Sequence, residues 1–289
     1  MSIEKIAVTG SGIMGRGIVH VSATGGFQVV MHDISDEILQ KALKIIEGNL
    51  QKGVDRGKVT PQDKKAALSR IKLTTDLKEA VCDADLVIEA VPEDLALKQD
   101  VFGKLEKFCP DHTILASNTS AISVTEVAAA TKCPERTIGL HFFNPVHVMK
   151  LVEIICGLET SEKTFKICEK ACAKMGKKTV KINEFPGFVT TRINAMIGNE
   201  AFIMLQEGLG TPEDIDIALK LGLNHPMGPF EMVDLIGLDT RLNILNYLQK
   251  TLGEKYRPAP LMVKYVKAGR LGRKVGKGVY TYDENGKRI

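Results

Sequence analysis

The chain has 289 residues, of which 44% are hydrophobic and 26% charged, so it can bury a complete core as one large or two ordinary domains. Its net charge of +4 comes without a dense run of Lys and Arg among aromatic residues, which argues against a nucleic-acid binder. Six cysteines lack CxxC spacing, so we expect reduced thiols and no metal site. The first residues lead into a strand pattern without an apolar signal segment, and no apolar stretch of about 20 residues follows. These features predict a soluble, cytoplasmic protein.

The first motif in chain order is a glycine-rich turn. A β-rich run ends at Thr9, the sequence GSGIMG follows, and helical character resumes at Arg16. In such a strand, turn and helix, Gly10, Gly12 and Gly15 permit the tight turn, the approach of the backbone to a pyrophosphate, and close packing of helix on strand. The motif predicts a dinucleotide-binding site.

A carboxylate follows the second predicted strand, which covers about residues 27–32. Asp33 lies about 20 residues beyond the first glycine, where a carboxylate binds the ribose hydroxyls of adenosine and repels a 2′-phosphate. Asp33 could also cap the next helix together with Ser35, which is compatible with that role. We therefore predict NAD(H), and not NADP(H), as the cofactor.

Two helical segments, at about 36–52 and 61–69, replace the single crossover helix expected after the second strand. The pair carries the cations Lys52, Arg56 and Lys58. These cations can form an ordinary solvated face, or they can bind the phosphate-bearing handle of a substrate.

Alternating strand and helix patterns complete an α/β domain. The apolar run LVIEAV fits a central parallel strand. Ligands bind beyond the carboxyl ends of strands in such sheets, so Ser120, after one strand, and His141, at the end of the next, should share an edge with the glycine-rich turn. We predict strands at about 71–74, 84–91, 113–117, 136–141, 151–155 and 178–182, and helices at 92–107 and 162–175.

His141 and Glu153 form a candidate catalytic pair. They lie in consecutive β-rich runs, so a short loop brings the carboxylate back towards the imidazole. A carboxylate fixes the tautomer of an imidazole and stabilises its cation, as a base that removes a hydroxyl proton requires near neutral pH. A histidine at a strand end can also be structural, and a glutamate in an apolar strand can lie on an exposed edge.

The sequence Phe-Pro-Gly-Phe marks a domain boundary near residue 184. We predict a Rossmann-like α/β NAD-binding domain with an inserted helical pair over 1–184, and an all-α domain over 185–289. An all-α domain with apolar faces is a common dimerisation surface and can cover a cofactor or bind substrate. Its helices are predicted at about 189–206, 212–220, 230–252 and 259–268.

Seven stretches together resemble one protein family. They are GSGIMG, EAVPED, SNTS, GLHFFNPVHVMKLVE, FPGFVTTR, HPMGPFEMVDLIGLD and GRKVGKGVY, and they span nearly the whole chain. With them the chain resembles the short-chain L-3-hydroxyacyl-CoA dehydrogenases, in particular the bacterial 3-hydroxybutyryl-CoA dehydrogenases. The resemblance implies NAD(H)-dependent interconversion of 3-hydroxybutyryl-CoA and acetoacetyl-CoA.

The resemblance also implies the catalytic roles. His141 is implied as the general acid/base, Glu153 as its orienting carboxylate, and Ser120 as a hydrogen-bond donor to the 3-oxygen of the substrate. Asn144 is implied as a further catalytic residue, near the nicotinamide. In the oxidation direction the imidazole removes the hydroxyl proton while C3 gives its hydride to the nicotinamide.

Further positions are implied as ligand contacts, and a homodimer through the C-terminal domain is implied as the assembly. One position differs from the commoner pattern, because many relatives have Asn where this chain has Thr191. The implied NAD contacts are Gly10, Gly12, Gly15, Asp33, Glu93, Lys98, Asn144 and Lys274, and the implied acyl-CoA contacts are Ser120, Arg56 and Thr191.

Two other functions stay open at the level of sequence. A dehydrogenase of a free hydroxyacid or sugar acid can share this two-domain plan, and neutralising Arg56 and Lys58 would then leave its substrate affinity unchanged. A non-catalytic structural relative can keep the fold, but its sequence should be eroded at the His–Glu pair or the glycine-rich turn. Both motifs are intact here.

Overall fold

An eight-stranded sheet organises the first of the two units into which the chain divides, Met1–Phe185 and Pro186–Ile289. The structure, a computed structural model, describes residues 2–289. In chain order the strands are β1 (Lys5–Thr9), β2 (Gln28–His32), β3 (Ile71–Thr74), β4 (Leu86–Glu89), β5 (Ile114–Ser117), β6 (Thr137–Phe142), β7 (Leu151–Cys156) and β8 (Lys178–Asn183).

The strand order across the sheet is β3-β2-β1-β4-β5-β6-β7-β8. Neighbouring strands are parallel, except that β6 and β7 are antiparallel. The chain runs outward from β1 to β3 and then returns to place β4 on the other side of β1, so the order reverses between β1 and β4. Ligands of doubly wound sheets bind at such a reversal, beyond the carboxyl ends of the strands. The glycine-rich turn follows β1 and lies at this position, as the sequence predicted.

Helices cover both faces of the sheet because its central strands have no polar face. Every residue of β4, β5 and β6 is buried. Along β1, Ile6 and Val8 belong to one apolar cluster and Ala7 to another, as expected when successive side chains point to opposite faces. The helices of this unit are α1 (Ile13–Thr24), α2 (Asp36–Asp55), α3 (Pro61–Ser69), α4 (Leu77–Val81), α5 (Leu95–Phe108), α6 (Val124–Ala128) and α7 (Glu162–Lys174), with a 3-10 turn at Pro134–Arg136.

The inserted helical pair, α2 and α3, is confirmed. Helix α3 begins after Thr60, whose hydroxyl accepts a hydrogen bond from the Asp63 amide, and Pro61 occupies the first helical position. Helix α2 turns four apolar residues, Leu39, Ala42, Ile46 and Leu50, into the core.

The predicted start of α5 at residue 92 was wrong. The helix begins at Leu95, because the Asp94 side chain caps it by accepting a hydrogen bond from the Leu97 amide. Glu93 therefore lies in the loop between β4 and α5, outside the helix. The predicted strand over 84–91 is also shorter, since only Leu86–Glu89 pairs with its neighbours.

The second unit is all-helical in its main elements, as predicted. The single helix predicted over 230–252 is divided at Gly237, whose φ of 104° lies outside the helical region, so the backbone changes direction there. Phe202, Phe230 and Leu245 belong to the apolar core of this unit. Its helices are α8 (Thr190–Gln206), α9 (Pro212–Gly222), α10 (Pro229–Ile236), α11 (Leu238–Leu252) and α12 (Pro260–Lys267), with 3-10 turns at Glu254–Tyr256 and Arg273–Val275.

Across residues 2–289, no helix combines the length and the apolar character needed to span a membrane.

Replacement of Gly48 by alanine is expected to stabilise the protein by about 0.5 to 1 kcal/mol. Gly48 is exposed in the interior of α2, and a methyl group there would have no other atom within 4 Å beyond the local helix backbone. Alanine restricts the unfolded chain more than glycine does and has the higher helix propensity. Urea unfolding of the two proteins measures the difference; a lower midpoint for Gly48→Ala would contradict the prediction.

Candidate active site

His141 and Glu153 are brought together by the sheet itself. They are directly opposite each other in the antiparallel pair β6 and β7, and His141 Nδ1 lies 2.8 Å from Glu153 Oε2. His141 is 6% exposed and Glu153 is fully buried. The ring of Phe143 lies beside the imidazole, with 4.4 Å between ring centroids. A carboxylate in this position holds the ring in one orientation and sets its tautomer, as a group that transfers a proton requires.

The loop after β5 presents Ser120 at the same edge of the sheet. Asn118 ties the ends of β5 and β6 together, because its side-chain oxygen accepts a hydrogen bond of 3.0 Å from the Phe142 amide. Glu93 holds the next residues: its Oε1 accepts from the Thr119 hydroxyl at 2.6 Å and from the Ser120 amide at 2.8 Å. Two predicted site residues, Glu93 and Ser120, are therefore in direct contact.

The glycine-rich turn and Asp33 also meet. The Ser11 amide and hydroxyl donate to Asp33 Oδ2 at 2.7 and 2.6 Å, and the Ile34 amide donates to Oδ1 at 2.8 Å. Partial burial acts to raise the pKa of Asp33, but the hydrogen bonds from Ser11 and Ile34 outweigh it, so the pKa lies below its usual value. Asp33 is thus an ionised acceptor beside the turn. Ser11 was not predicted from the sequence, because its partner lies 22 residues away.

The residues present fit a dinucleotide. Helix α1 has no side-chain cap at its N-terminus, where the flanking residue is the exposed Gly12. The amides of its first turn are therefore available to donate to an anionic group such as a phosphate. A Cβ at Gly12 would contact no protein atom within 4 Å, which leaves that side of the turn open for a ligand.

Lys98 lies close to the carboxyl end of β4. It is fully buried, and its ammonium donates to Glu89 Oε1 at 2.7 Å and lies 3.4 Å from Glu93 Oε2. Glu89, the last residue of β4, is also fully buried and was missed at the sequence level. A glutamate at the end of the apolar run LVIE was the signal that could have identified it, since a buried carboxylate needs a partner.

Asn144 opens the turn between β6 and β7, and the peptide bond to Pro145 is cis. The ammonium of the buried Lys177 supports the turn by donating to the carbonyl oxygens of Val146 and, at 2.7 Å, Met149. Asn144 is exposed and lines a cavity of about 230 Å³ together with residues of α1 and α2.

Three further predicted contact residues lie on other elements of the chain. Arg56 is exposed directly after α2, and Thr191 lies in the first turn of α8. The Lys274 ammonium donates to both oxygens of Asp239 at 2.6 Å. Partial burial acts to raise the pKa of Asp239, but the hydrogen bonds that it accepts and the charge of Lys274 together outweigh this effect, so the pKa lies below its usual value. The ammonium is thus held within the second unit by Asp239.

His20 and His147 form a stacked pair on the wall of the cavity beside Asn144. Their ring centroids are 5.1 Å apart and the rings are nearly parallel, at 8°. Burial, and then the proximity of His147 and Lys177, lowers the pKa of His20 to about 4. His20 is therefore neutral in the folded protein at neutral pH.

Acid should remove more stability from the wild-type protein than from His20→Gln. The unfolded chain protonates this histidine near its ordinary pKa of 6.5, whereas the folded protein does so only near 4. The free energy of unfolding is therefore unaffected by the protonation of His20 above pH 6.5, and it decreases as the pH falls towards 4, because the unfolded chain then binds the proton more readily. We expect the free energy of unfolding to decrease by about 2 to 3 kcal/mol more in the wild type than in His20→Gln. Urea unfolding of both proteins at pH 7 and pH 4 measures it, and equal losses in the two proteins would contradict the prediction.

The fold and the site define a class of protein. A doubly wound sheet with a glycine-rich turn after β1 and an ionised carboxylate after β2 is a dinucleotide-binding domain. A buried imidazole and carboxylate pair at the same edge can take up and return a proton. Together these are the parts of a nicotinamide-dependent dehydrogenase.

Comparison with protein-family models gives the family. Residues 5–185 match the model described as 3-hydroxyacyl-CoA dehydrogenase, NAD binding domain, and residues 187–282 match 3-hydroxyacyl-CoA dehydrogenase, C-terminal domain. The chain belongs to the 3-hydroxyacyl-CoA dehydrogenase family of oxidoreductases. The predictions of a Rossmann-like fold, of an oxidoreductase and of NAD as the cofactor are confirmed.

Individual relatives match over nearly the whole chain. A probable 3-hydroxybutyryl-CoA dehydrogenase of Bacillus subtilis is 49% identical over 98% of this chain and 99% of its own length. The mitochondrial hydroxyacyl-coenzyme A dehydrogenase of Rattus norvegicus is 41% identical over 97% of this chain and 91% of its own. Among solved structures, (S)-3-hydroxybutyryl-CoA dehydrogenase from Ralstonia eutropha superposes with a TM-score of 0.95, at 44% identity, over 98% of this chain and 100% of its own.

Proposed function

We propose that the chain catalyses the NAD(H)-dependent interconversion of 3-hydroxybutyryl-CoA and acetoacetyl-CoA. The observation that carries the proposal is the buried His141–Glu153 contact of 2.8 Å, at the edge of the sheet that also holds the glycine-rich turn. The names of the relatives from Bacillus subtilis and Ralstonia eutropha support the four-carbon substrate. The alternative of a free hydroxyacid substrate has no comparable support.

The proposed mechanism assigns proton transfer to His141. In oxidation the imidazole removes the hydroxyl proton of the substrate, and in reduction the imidazolium returns it. Glu153 orients the ring and compensates the positive charge while it is protonated. Ser120 donates to the substrate oxygen and, with the imidazolium, stabilises its developing negative charge. NAD, when bound, supplies the hydride acceptor at its nicotinamide ring.

The cofactor contacts are proposed from the same geometry. Gly10, Gly12 and Gly15 would hold the pyrophosphate against the N-terminus of α1, and Asp33 would accept hydrogen bonds from the adenosine ribose. The open side of Gly12 and the ionised state of Asp33 support these two roles. Glu93, Asn144 and Lys274 are retained as proposed NAD contacts. The predicted contact of Lys98 is not retained, because the structure buries this side chain completely against Glu89.

The CoA handle is proposed to contact Arg56, an exposed cation that follows α2 and lies near Lys58 in sequence. Cations of this kind bind phosphate oxygens through charge-assisted hydrogen bonds. Ser120 and Thr191 are proposed to contact the acyl end of the substrate.

A homodimer through the second unit, Pro186–Ile289, is also proposed. Exposed apolar side chains on α9 and α10 support it, among them Ile217, Leu221 and Leu235. A cytoplasmic location is proposed on the six free cysteines.

The test of the proposed function is the initial rate of NADH oxidation with acetoacetyl-CoA, compared with NADPH at matched concentrations. Fast turnover with NADH, and slow turnover with NADPH, is expected because Asp33 repels a 2′-phosphate. No turnover with either cofactor, from folded protein that still binds NADH, would overturn the proposed substrate.

Glu153→Gln is expected to lower kcat less than loss of the imidazole would, and to change the pH dependence of kcat/KM. The amide keeps the shape of the side chain but removes the charge that stabilises the protonated imidazole. Rates measured from pH 5 to 9 test this, and a pH profile identical to that of the wild type would count against the pair.

A further inference from the structure

A buried carboxylate lies at the centre of a hydrogen-bonded network under the Ser120 loop. Glu89 and Lys98 are both fully buried. The Lys98 ammonium donates to the two oxygens of Glu89 at 2.7 and 3.0 Å. The Ser117 hydroxyl and the Val91 amide each donate to the same carboxylate at 2.7 Å. Four hydrogen bonds therefore hold Glu89, and two of them come from Lys98.

The network continues from Lys98 to the loop. Its ammonium lies 3.4 Å from Glu93 Oε2. The other oxygen, Glu93 Oε1, accepts from the Thr119 hydroxyl at 2.6 Å and from the amides of Ser120 and Ala121 at 2.8 and 3.1 Å. The backbone of the loop is therefore held by a carboxylate that is itself paired with the Lys98 ammonium.

The charges alternate along this network, and the two ends differ in exposure. The Glu93 side chain is 40% exposed, so water competes for its carboxylate, whereas Lys98 and Glu89 are shielded from water. A fully buried ammonium stays where its strongest partner holds it. Glu89 consequently decides where Lys98 lies, and Lys98 favours one position of Glu93.

We infer that Glu89 is a positioning residue for the reaction: it acts through Lys98 and Glu93 to hold the Ser120 loop in the geometry that donates to the substrate oxygen. This inference rests on the proposed function for its kinetic consequence. Its structural consequence, the order of the loop backbone, does not depend on the substrate.

The first readout is kinetic. Glu89→Gln keeps one acceptor oxygen, for the Val91 amide, and its NH2 group can donate to the Ser117 hydroxyl oxygen, but the variant removes the charge that holds Lys98. We expect kcat with acetoacetyl-CoA to fall roughly tenfold, as for coupled residues of one hydrogen-bonded network. In a Ser120→Ala background, Glu89→Gln should lower kcat by less than about twofold, because its route of action is already gone. If the loss of kcat in the double variant equals the product of the losses in the two single variants, the inference is overturned.

The second readout is hydrogen exchange of residues 118–123. The amides of Ser120 and Ala121 are bonded to Glu93, so they should exchange faster in Glu89→Gln while residues 151–156 of β7 keep the wild-type rate. A general loss of stability would accelerate both segments. Unchanged exchange in residues 118–123 would overturn the inference whether or not acetoacetyl-CoA is a substrate.

Glu79→Gln is the matched control. Glu79 also accepts from a threonine hydroxyl and a lysine ammonium, those of Thr74 and Lys72, and is bonded to neither Lys98 nor Glu93. We expect wild-type kcat and exchange for this variant.

If Glu89→Gln does not fold, Glu89→Gln/Lys98→Met removes both buried charges together and keeps the core neutral. That double variant should fold and still show fast exchange at residues 118–123; wild-type exchange there would also overturn the inference.

If the wild-type protein does not turn over acetoacetyl-CoA, the proposed function fails, and the exchange experiment still decides the role of Glu89. If the wild type is active and Ser120→Ala is impaired but Glu89→Gln is not, only the inference about Glu89 fails.

Discussion

His141→Ala is expected to lower kcat for acetoacetyl-CoA reduction by about 10² to 10⁴ or more, with NADH affinity nearly unchanged. The imidazole is the group proposed to return the proton to the substrate oxygen, and it is held 2.8 Å from the Glu153 carboxylate. Removing it takes away both the proton donor and a positive charge beside the developing oxyanion. Stopped-flow or steady-state rates, together with NADH fluorescence titration, measure the two quantities separately.

His112→Ala is the matched control for that experiment. His112 Nε2 lies 3.4 Å from Asp85 Oδ1, so it is a second imidazole and carboxylate pair in the same unit, but its side chain is 50% exposed. We expect full activity from this variant. Turnover near the wild-type value for His141→Ala would remove His141 from the mechanism.

The second large effect is expected at the glycine-rich turn, where alanine at two positions should have different consequences. A Cβ at Gly15 would lie 1.7 Å from the carbonyl oxygen of Gly10, so the turn and α1 cannot keep their positions. Gly15→Ala is expected to destabilise the fold by about 3 kcal/mol and to abolish tight NADH binding. Thermal unfolding without cofactor measures the first effect.

Gly12→Ala should weaken cofactor binding without a change in stability. Gly12 has a negative φ, −59°, and a Cβ there would have no atom within 4 Å beyond its neighbours along the chain. The methyl group would instead occupy the side from which the pyrophosphate is proposed to approach, so NADH affinity should fall at least roughly tenfold, or about 1.4 kcal/mol. Fluorescence titration and thermal unfolding of Gly12→Ala and Gly15→Ala together test this contrast. A common loss of stability in both variants would contradict it.

Much of the fold follows from short-range patterns in the sequence. The turn GSGIMG between a strand and a helix, the apolar runs of the central strands, and the helical pair at about 36–52 and 61–69 all appear in the structure where they were predicted. These patterns succeed because hydrophobic periodicity and glycine conformation act within a few residues. Cap geometry is more local still, and a single side chain, Asp94, moved the start of α5 from residue 92 to 95.

Contacts in the candidate site could be predicted only between residues that lie in consecutive strands. His141 and Glu153 lie in consecutive strands joined by a short loop, so their proximity could be inferred from sequence, whereas the contact itself required the antiparallel register that places them opposite each other. The partners of Ser11 and Lys98 were not predictable in this way. Ser11 bonds Asp33 across β1 and β2, and Lys98 is fully buried against Glu89 at the end of β4.

The sequence by itself determined the class of fold, the dinucleotide motif, the family, and the expectation that His141 and Glu153 lie close together. Only the tertiary structure decided which charges are buried, which carboxylates hold the Ser120 loop, and where the helix predicted over 230–252 breaks. The physical reason is that apolar periodicity and turn chemistry depend on neighbours along the chain. The partner of a buried charge depends on which segments the completed sheet brings side by side.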